Sequence, residues 1–225
     1  MKSYLTCAAS TLALVASTAA FAGPEAEVLH YWTSGGEAKS VAVLQKEFAD
    51  NGGTWTDMPV AGGGGDAAMT ALRARVLSGN APTAVQLKGP AIQEWYEEGV
   101  LADISAVAEA NNWADVLPES IAGHMKCEGT WCAAPVNVHR VDWIWANSDV
   151  LSSNGIEMPK TWDEFNAAAA KLQAAGIIPL AHGGQAWQDA TVFEAVALGI
   201  LGADGFRKAF VDLDKETLTS DAMVA

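Results

Sequence analysis

The chain is short of positive charge, short of sulfur, and without an apolar run long enough to cross a bilayer. Its 13 Lys and Arg stand against 27 Asp and Glu, a formal net charge of −14. A surface of that sign is a poor partner for nucleic acid or an anionic membrane. The apolar run near the start is shorter than the roughly 20 residues a spanning helix needs, and no later stretch is longer or freer of charge. Catalytic signatures with a fixed spacing are missing as well. There is no G-x-x-x-x-G-K-[ST] phosphate loop, no G-x-S-x-G nucleophile elbow, and the four histidines (His30, His124, His139, His182) form no H-E-x-x-H. Carboxylates are plentiful, but nothing in the sequence sets two of them together as a glycosidase pair.

What is present begins with an export signal. Lys2 supplies the positive start, "LALVASTAA" the apolar middle and Ala20-Phe21-Ala22 a small-x-small cleavage site. Residues 1–22 are therefore expected to be a signal peptide, and the mature chain to be soluble and outside the cytoplasm. Cys7 leaves with the signal; its place and its preceding residues do not suit a lipid-attachment cysteine. Cys127 and Cys132 remain, flanking "EGTW", a sequence that permits a hairpin with the two sulfurs in disulfide reach. A disulfide or two quiet thiols both fit. A zinc set of His124, Cys127, Cys132 and His139 can be assembled, but its spacing matches no common finger.

Strand-like and helix-like patterns alternate along the chain. "EVLHYW" reads as a strand, and Val41, Leu44 and Phe48 fall at helical spacing in "KSVAVLQKEFADN". A strand near "WTDMPV" leads into four glycines. Asp66 then suits a helix N-cap, with Met69, Leu72 and Val76 as the buried stripe. "TAVQL" reads as a short strand and "PAIQEWYEEGVL" as a short helix. This alternation predicts an open α/β sheet with mainly parallel pairing. From Trp131 to Asn147 the chain looks extended, with Val141, Trp143 and Trp145 alternating on one face, and reads as a crossing into a second lobe. Thr161 and Glu164 form a capping-box pattern ahead of a helix that Gly176 ends. "IIPLA" predicts another strand and "ATVFEAVALGILG" another helix.

In open α/β sheets, ligands sit beyond the carboxyl ends of the strands. Tyr31, Trp32 and Glu37 lie there after the first strand, Gln86 and Lys88 after the third, and Trp187 and Gln188 after "IIPLAHGGQ". A neutral sugar offers apolar C–H faces and a rim of hydroxyls, so flat rings beside charged and amide groups match it. Trp32 and Trp187 would be the stacking surfaces, with Glu37 accepting hydrogen bonds and Lys88, Gln86 or Gln188 donating them. Each has a plainer reading. Trp32 and Trp187 would then be core residues, Glu37 a helix-start carboxylate and Lys88 a solvated lysine, and the remaining tryptophans are read as packing. Gly62 to Ala67 satisfies G-x-G-x-x-A, but no acidic residue follows at the distance a ribose needs. A turn that lets backbone amides approach a ligand, or a plain linker, fits better.

"HYWTSGGEAKSV", "VQLKGPAIQEWYEEGVLADI", "CAAPVNVHRVDWIWAN" and "PKTWDEFNAAAAKL" together resemble the extracytoplasmic solute-binding proteins of ABC sugar importers, family 1, of the glucose and mannose type. The resemblance runs over residues 27–225. It implies a two-lobed α/β periplasmic-binding-protein fold of type II, with an N-terminal lobe over 23–136, a hinge crossing at 135–140 and a partial C-terminal lobe over 137–225. It also implies a monosaccharide held in an interlobe cleft and delivered to membrane permease subunits served by a cytoplasmic ATPase. The expected setting is the periplasm of a Gram-negative cell, with no catalysis, cofactor, metal or nucleic acid involved. Sugar contacts would come from Trp32, Glu37, Lys88 and Trp187, and more weakly from Tyr31, Gln86, His139 and Gln188. Family members often carry a tryptophan pair where this chain has Tyr31-Trp32, which bears on the sugar preferred. They are also longer and return to both lobes, so the resemblance implies a C-terminally truncated chain with an incomplete second lobe. Two other readings of the same residues are an exported carbohydrate-active enzyme and a binding protein for a non-sugar solute.

Overall fold

The computed structural model describes residues 23–139 and 141–224. The expected signal peptide and Cys7 lie outside the described residues, as does Arg140 at the end of the expected hinge stretch. The chain forms two compact units. One runs to Ala61 and resumes over Ala68–Gln86; the other takes Gly62–Ala67 and the chain from Leu87 onward.

The first unit is a parallel sheet with two crossover helices. Strand β1 (Glu25–His30) is central, flanked by β2 (Thr54–Pro59) and β3 (Ala84–Val85), in the order β2-β1-β3. Leu29 faces Met58 on one side and Val85 on the other, and is fully buried. Parallel pairing requires a long return between strands. Helix α1 (Gly35–Asp50) makes the first return and α2 (Asp66–Leu77) the second. Of the predicted stripes, Val41 and Leu72 are buried, Met69 and Val76 are half-buried and Leu44 stays 38% exposed; Ala68, outside the predicted stripe, is buried as well. Phe48 turns its ring edge-on to Trp55, with centroids 6.2 Å apart.

Two polar clusters pin this unit. Arg75, in the last turn of α2, grips the Glu27 carboxylate with two parallel bonds, Nη1 to Oε1 at 2.7 Å and Nη2 to Oε2 at 2.6 Å. Such a fork has the geometry that makes Arg–carboxylate pairs strong. The buried His30 places Nε2 2.9 Å from Asp57 Oδ1, and the same oxygen accepts from Trp55 Nε1 at 3.0 Å and Gln45 Nε2 at 2.9 Å. These hydrogen bonds hold the Asp57 carboxyl below its usual range, outweighing the burial that pushes it up.

The second unit holds short helices α3 (Ala91–Glu97), α4 (Ser105–Ala110), α5 (Trp113–Val116) and α6 (Glu119–Met125), then the two-residue strands β4 (Lys126–Cys127) and β5 (Thr130–Trp131). The hairpin expected around "EGTW" is present, turning through Glu128 and Gly129, both at positive φ. Cys127 and Cys132 are joined in a disulfide with Cα atoms 5.8 Å apart. Bridged sulfurs are not thiolate ligands, so the zinc arrangement falls. The bridge sits in a core with Ile92, against Leu87, Tyr96 and Leu101. A neighbouring core gathers Ala108, Ala122 and Trp131, with Trp113 set edge-on to Trp131 at 5.5 Å.

Helices α7 (Ser148–Ser153), α8 (Trp162–Ala174), α9 (Ala186–Phe210), α10 (Lys215–Leu218) and α11 (Asp221–Val224) follow. Thr161 caps α8 as expected, its hydroxyl accepting from Glu164 N at 3.2 Å. The Glu164 carboxylate reaches one residue further back than a reciprocal box requires, to Lys160 N at 2.7 Å. Gly176, at φ 73°, ends the helix through paired bonds from Gly176 N to Gln173 O and from Ile177 N to Leu172 O.

Two expectations differ from the structure. Residues 177–181 form no strand. A strand needs a neighbour to accept its ladder bonds, and among the described residues none lines up beside this stretch; Pro179 also lacks a donor. Trp143 and Trp145, read as packing, are instead exposed at 56% and 89%, in the extended-looking stretch read as a crossing, whose described residues 132–139 and 141–147 carry no strand.

Candidate functional site

In the first unit, the turn after β1 carries Tyr31 and Trp32. The backbone N–H of Tyr31 donates to Gln86 Oε1 at 3.1 Å, and Gln86 N donates to Leu29 O at 2.9 Å, so Gln86 continues the β1–β3 pairing past the end of β3. Two loops at the carboxyl ends of neighbouring strands are thereby fixed together. Glu37 stands exposed in the first turn of α1, where a carboxylate meets the positive end of the helix dipole. Burial raises the Tyr31 phenol above its ordinary pKa, and the nearby Glu37 charge raises it further. Tyr31, Glu37 and Gln86 thus form one neighbourhood. Trp32 beside them is only 7% exposed.

In the second unit, a different set converges on the glycine run. Gly63–Gly65 makes one tight turn, with Gly64 at φ 58°. Lys88 Nζ donates to Gly64 O at 2.7 Å. The Trp187 indole lies against the same glycine: a Cβ at position 64 would come within 2.9 Å of Trp187 Cδ1 and 3.0 Å of Cγ. Only glycine permits both this approach and this backbone angle. Trp187 remains 41% exposed. An indole surface and an ammonium group therefore flank one backbone turn.

The start of α9 orients that indole. Trp187 Nε1 donates to Gln185 Oε1 at 2.7 Å. Gln188 folds back, accepting at Oε1 from Gln185 N at 3.0 Å, as the reciprocal half of a capping box. Its amide packs so tightly under Gly183 that a Cβ there would meet it at 2.2 Å. His182 Nε2 lies 2.6 Å from Asp189 Oδ1, bracing the same loop. Gln188 is thus a positioning residue in this arrangement; Gly64 belongs to the glycine run read as a turn open to a ligand or as a linker, whereas Gln185 is a member that sequence reasoning did not single out. The four consecutive glycines were the available signal for Gly64; nothing local marked Gln185. His139 is exposed within the 132–147 stretch.

An open depression of about 480 Å³ lies elsewhere in the second unit, lined by Gln93, Tyr96, Glu97, Gly99, Leu101 and Glu128, and includes none of these residues. No cluster of three metal-ligating side chains occurs among the described residues, and no described helix is long and apolar enough to cross a membrane.

The chain is 49% identical over 223 residues to a probable sugar-binding periplasmic protein of Rhizobium meliloti (strain 1021), a match covering 99% of this chain and 54% of that one. It is 52% identical over 197 residues to a probable sugar-binding periplasmic protein of Brucella melitensis biotype 1, covering 88% of this chain and 47% of the relative. The chain therefore spans about half the length of the curated relatives it matches. Among solved structures, the bacterial solute receptor AcbH, described as preferring β-D-galactopyranose, superposes with a TM-score of 0.61 at 18% identity, over 83% of this chain and 47% of that one. A probable secreted solute-binding lipoprotein from Streptomyces coelicolor superposes at 0.59 with 20% identity, over 89% of this chain and 50% of that one. At such identities the likeness concerns the fold alone, a mixed α/β fold of the solute-binding-protein kind. The model of the bacterial extracellular solute-binding protein family matches residues 33–223, and the chain belongs to that family.

Proposed function

We propose that this chain acts as the sugar-binding periplasmic component of an ABC transporter, taking a monosaccharide such as glucose or mannose and presenting it to membrane permease subunits coupled to a cytoplasmic ATPase. The observation that carries the reading is the joint seat of Trp187 and Lys88 on Gly64. An exposed indole covers the C–H face of a pyranose, and an ammonium group donates to hydroxyl oxygens with charge-assisted strength. Taken by itself, the first unit offers in Tyr31, Glu37 and Gln86 a phenol, an acceptor carboxylate and an amide, groups of the kind that hold hydroxyls. The names of the relatives support sugar as the solute class. Binding would shift the chain toward its liganded conformation only by the difference in affinity between the two states. The reading assigns the chain no bond-breaking step.

Titrating the full chain with glucose, mannose, galactose and putrescine, while following tryptophan fluorescence and the chemical state of the solute, tests it. A saturable change with chemically intact sugar is expected. Trp187→Ala should weaken that binding about fivefold, from the ~1 kcal/mol a well-placed aromatic surface contributes, and Lys88→Met about tenfold, from the loss of a charged hydrogen bond worth ~1.5 kcal/mol. Product release would instead indicate an exported carbohydrate-active enzyme, and a response to putrescine alone a non-sugar binding protein. Wild-type affinity in both variants would remove Trp187 and Lys88 from the site.

A further inference from the structure

The open depression of about 480 Å³ in the second unit shares no residue with the Lys88–Gly64–Trp187 set and has a chemistry of its own. Its volume falls within the roughly 300–1,000 Å³ of small-molecule sites. Helix α3 builds one wall. Ile92 and Trp95 turn one face of that helix into the core, at 2% and 5% exposure, while Gln93, Tyr96 and Glu97, three and four residues apart, share another face and line the hollow. Leu101 and, from the tip of the β4–β5 hairpin, Glu128 join the lining. Its apolar part, Tyr96 and Leu101, packs against the core around the Cys127–Cys132 disulfide.

The polar side chains of the lining are mostly acceptors. Gln93 Nε2 is committed to Lys126 O at 3.0 Å, which leaves the amide oxygen, and among the described residues neither Glu97 nor Glu128 is held in a hydrogen bond or an ion pair. Lys126 sets its ammonium over the Trp131 ring, 4.8 Å from the centroid, and takes no part in the lining. The supports are joined before any ligand arrives, because the Gln93–Lys126 bond ties α3 to β4 and the disulfide closes the hairpin. Glu128 is also an unusual residue for its place. It and Gly129 make a two-residue hairpin loop at φ 48° and 86°. Such loops suit Asn-Gly or Asp-Gly, whose short side chains tolerate the left-handed region, so turn formation does not account for a glutamate there.

We infer that this depression is a binding site for a small organic cation, an ammonium or guanidinium group on a short apolar stem. Such groups bring donors and no acceptor, the complement of a lining whose uncommitted side-chain atoms mostly accept. The stem would lie along Tyr96 and Leu101 with the charge toward Glu97 and Glu128, and the Tyr96 ring adds cation–π attraction. A bare metal ion fits less well, because no cluster of three metal-ligating side chains occurs among the described residues. A neutral sugar fits less well too, since its hydroxyl oxygens call for donors. The inference does not depend on the sugar reading.

Agmatine, which carries a guanidinium and an ammonium on a short alkyl stem, titrated into the isotope-labelled full chain provides the test. Saturable amide shifts are expected at Gly99, Gly129 and the Gln93 side chain, with glucose and Trp187→Ala leaving the affinity unchanged. Removing one charge, by Glu97→Gln or Glu128→Gln, should weaken binding about threefold, the scale of an exposed ion pair, and added salt should weaken the wild type in the same direction. Glu128→Asn separates ligand from turn: the thermal midpoint should rise, because Asn suits a positive φ, while agmatine affinity falls. The inference is overturned if those amides show no saturable shift, if neutral butanol binds as well as agmatine, if calcium moves the same amides at lower concentration, if glucose competes, or if Glu97→Gln and Glu128→Gln combined keep wild-type affinity.

Discussion

Gly64 shows how much a single missing Cβ decides. Its φ of 58° is left-handed, where a side chain costs roughly 1–2 kcal/mol, and the space a Cβ would need is filled by Trp187. Gly64→Ala should therefore lower stability by about 1–2 kcal/mol in urea unfolding and, through displacement of the indole, change the emission of Trp187 in the same sample. A stability loss with emission unchanged would mean the backbone angle alone matters and the indole is not seated on this glycine. The same scale shows why aromatic residues at strand ends are hard to read from a sequence. "HYW" and "QAW" place Trp32 and Trp187 in similar local contexts, yet one is 7% exposed and the other 41%. Exposure is decided by what the rest of the chain brings to the spot, which no local pattern encodes.

Elements with their own internal signals were legible. The 3.6-residue periods of α1, α2 and α8 and the Thr161 cap are local properties, and each helix begins or ends within a few residues of the pattern. Thr161→Ala should cost about 1 kcal/mol, read as a lower urea midpoint, because it strips the acceptor from Glu164 N. Wild-type stability in that variant would mean solvent replaces the cap without loss. The β4–β5 hairpin is different, since two residue pairs are too few to persist by pairing alone. Its disulfide closes a short loop, for which chain-entropy arguments give ~2 kcal/mol. Replacing both cysteines with serine should lower the unfolding free energy by that amount and make the difference from wild type vanish under reducing conditions. The strand expected at 177–181 failed for the opposite reason: apolar content suggests a strand, but pairing is a property of two segments, and no described segment pairs with this one.

At the scale of the whole molecule, the sequence disclosed the class of fold and the sign of the charge, while the gathering of Lys88, Gly64, Trp187 and Gln185 came only from three distant segments meeting. Charge gives the molecule its response to acid. At neutral pH the net −14 opposes compactness through self-repulsion, so mild acidification, which begins to neutralise exposed carboxylates, should hold the melting temperature level or raise it slightly. Four carboxyls oppose that trend further down. Glu27 is held low by hydrogen bonds from Arg75, Asp57 by Trp55, His30 and Gln45 against its burial, Asp103 by the Ser105 backbone and hydroxyl, and Asp214 by Thr217. A carboxyl whose folded pKa lies below its unfolded value contributes stability that is complete above the unfolded value, near 4, and is lost as pH falls through the folded one. The melting temperature should therefore stay flat from pH 7 to about 5 and drop steeply below about 4. Glu27→Gln should be less stable than wild type at pH 7 and approach it as pH falls through the lowered pKa of the folded carboxyl, because there the wild-type carboxylate is itself being protonated and the Arg75 fork is lost in both. A stability difference that stays constant from pH 7 to 3 would show that the fork acts through packing of the Arg75 stem and not through the Glu27 charge.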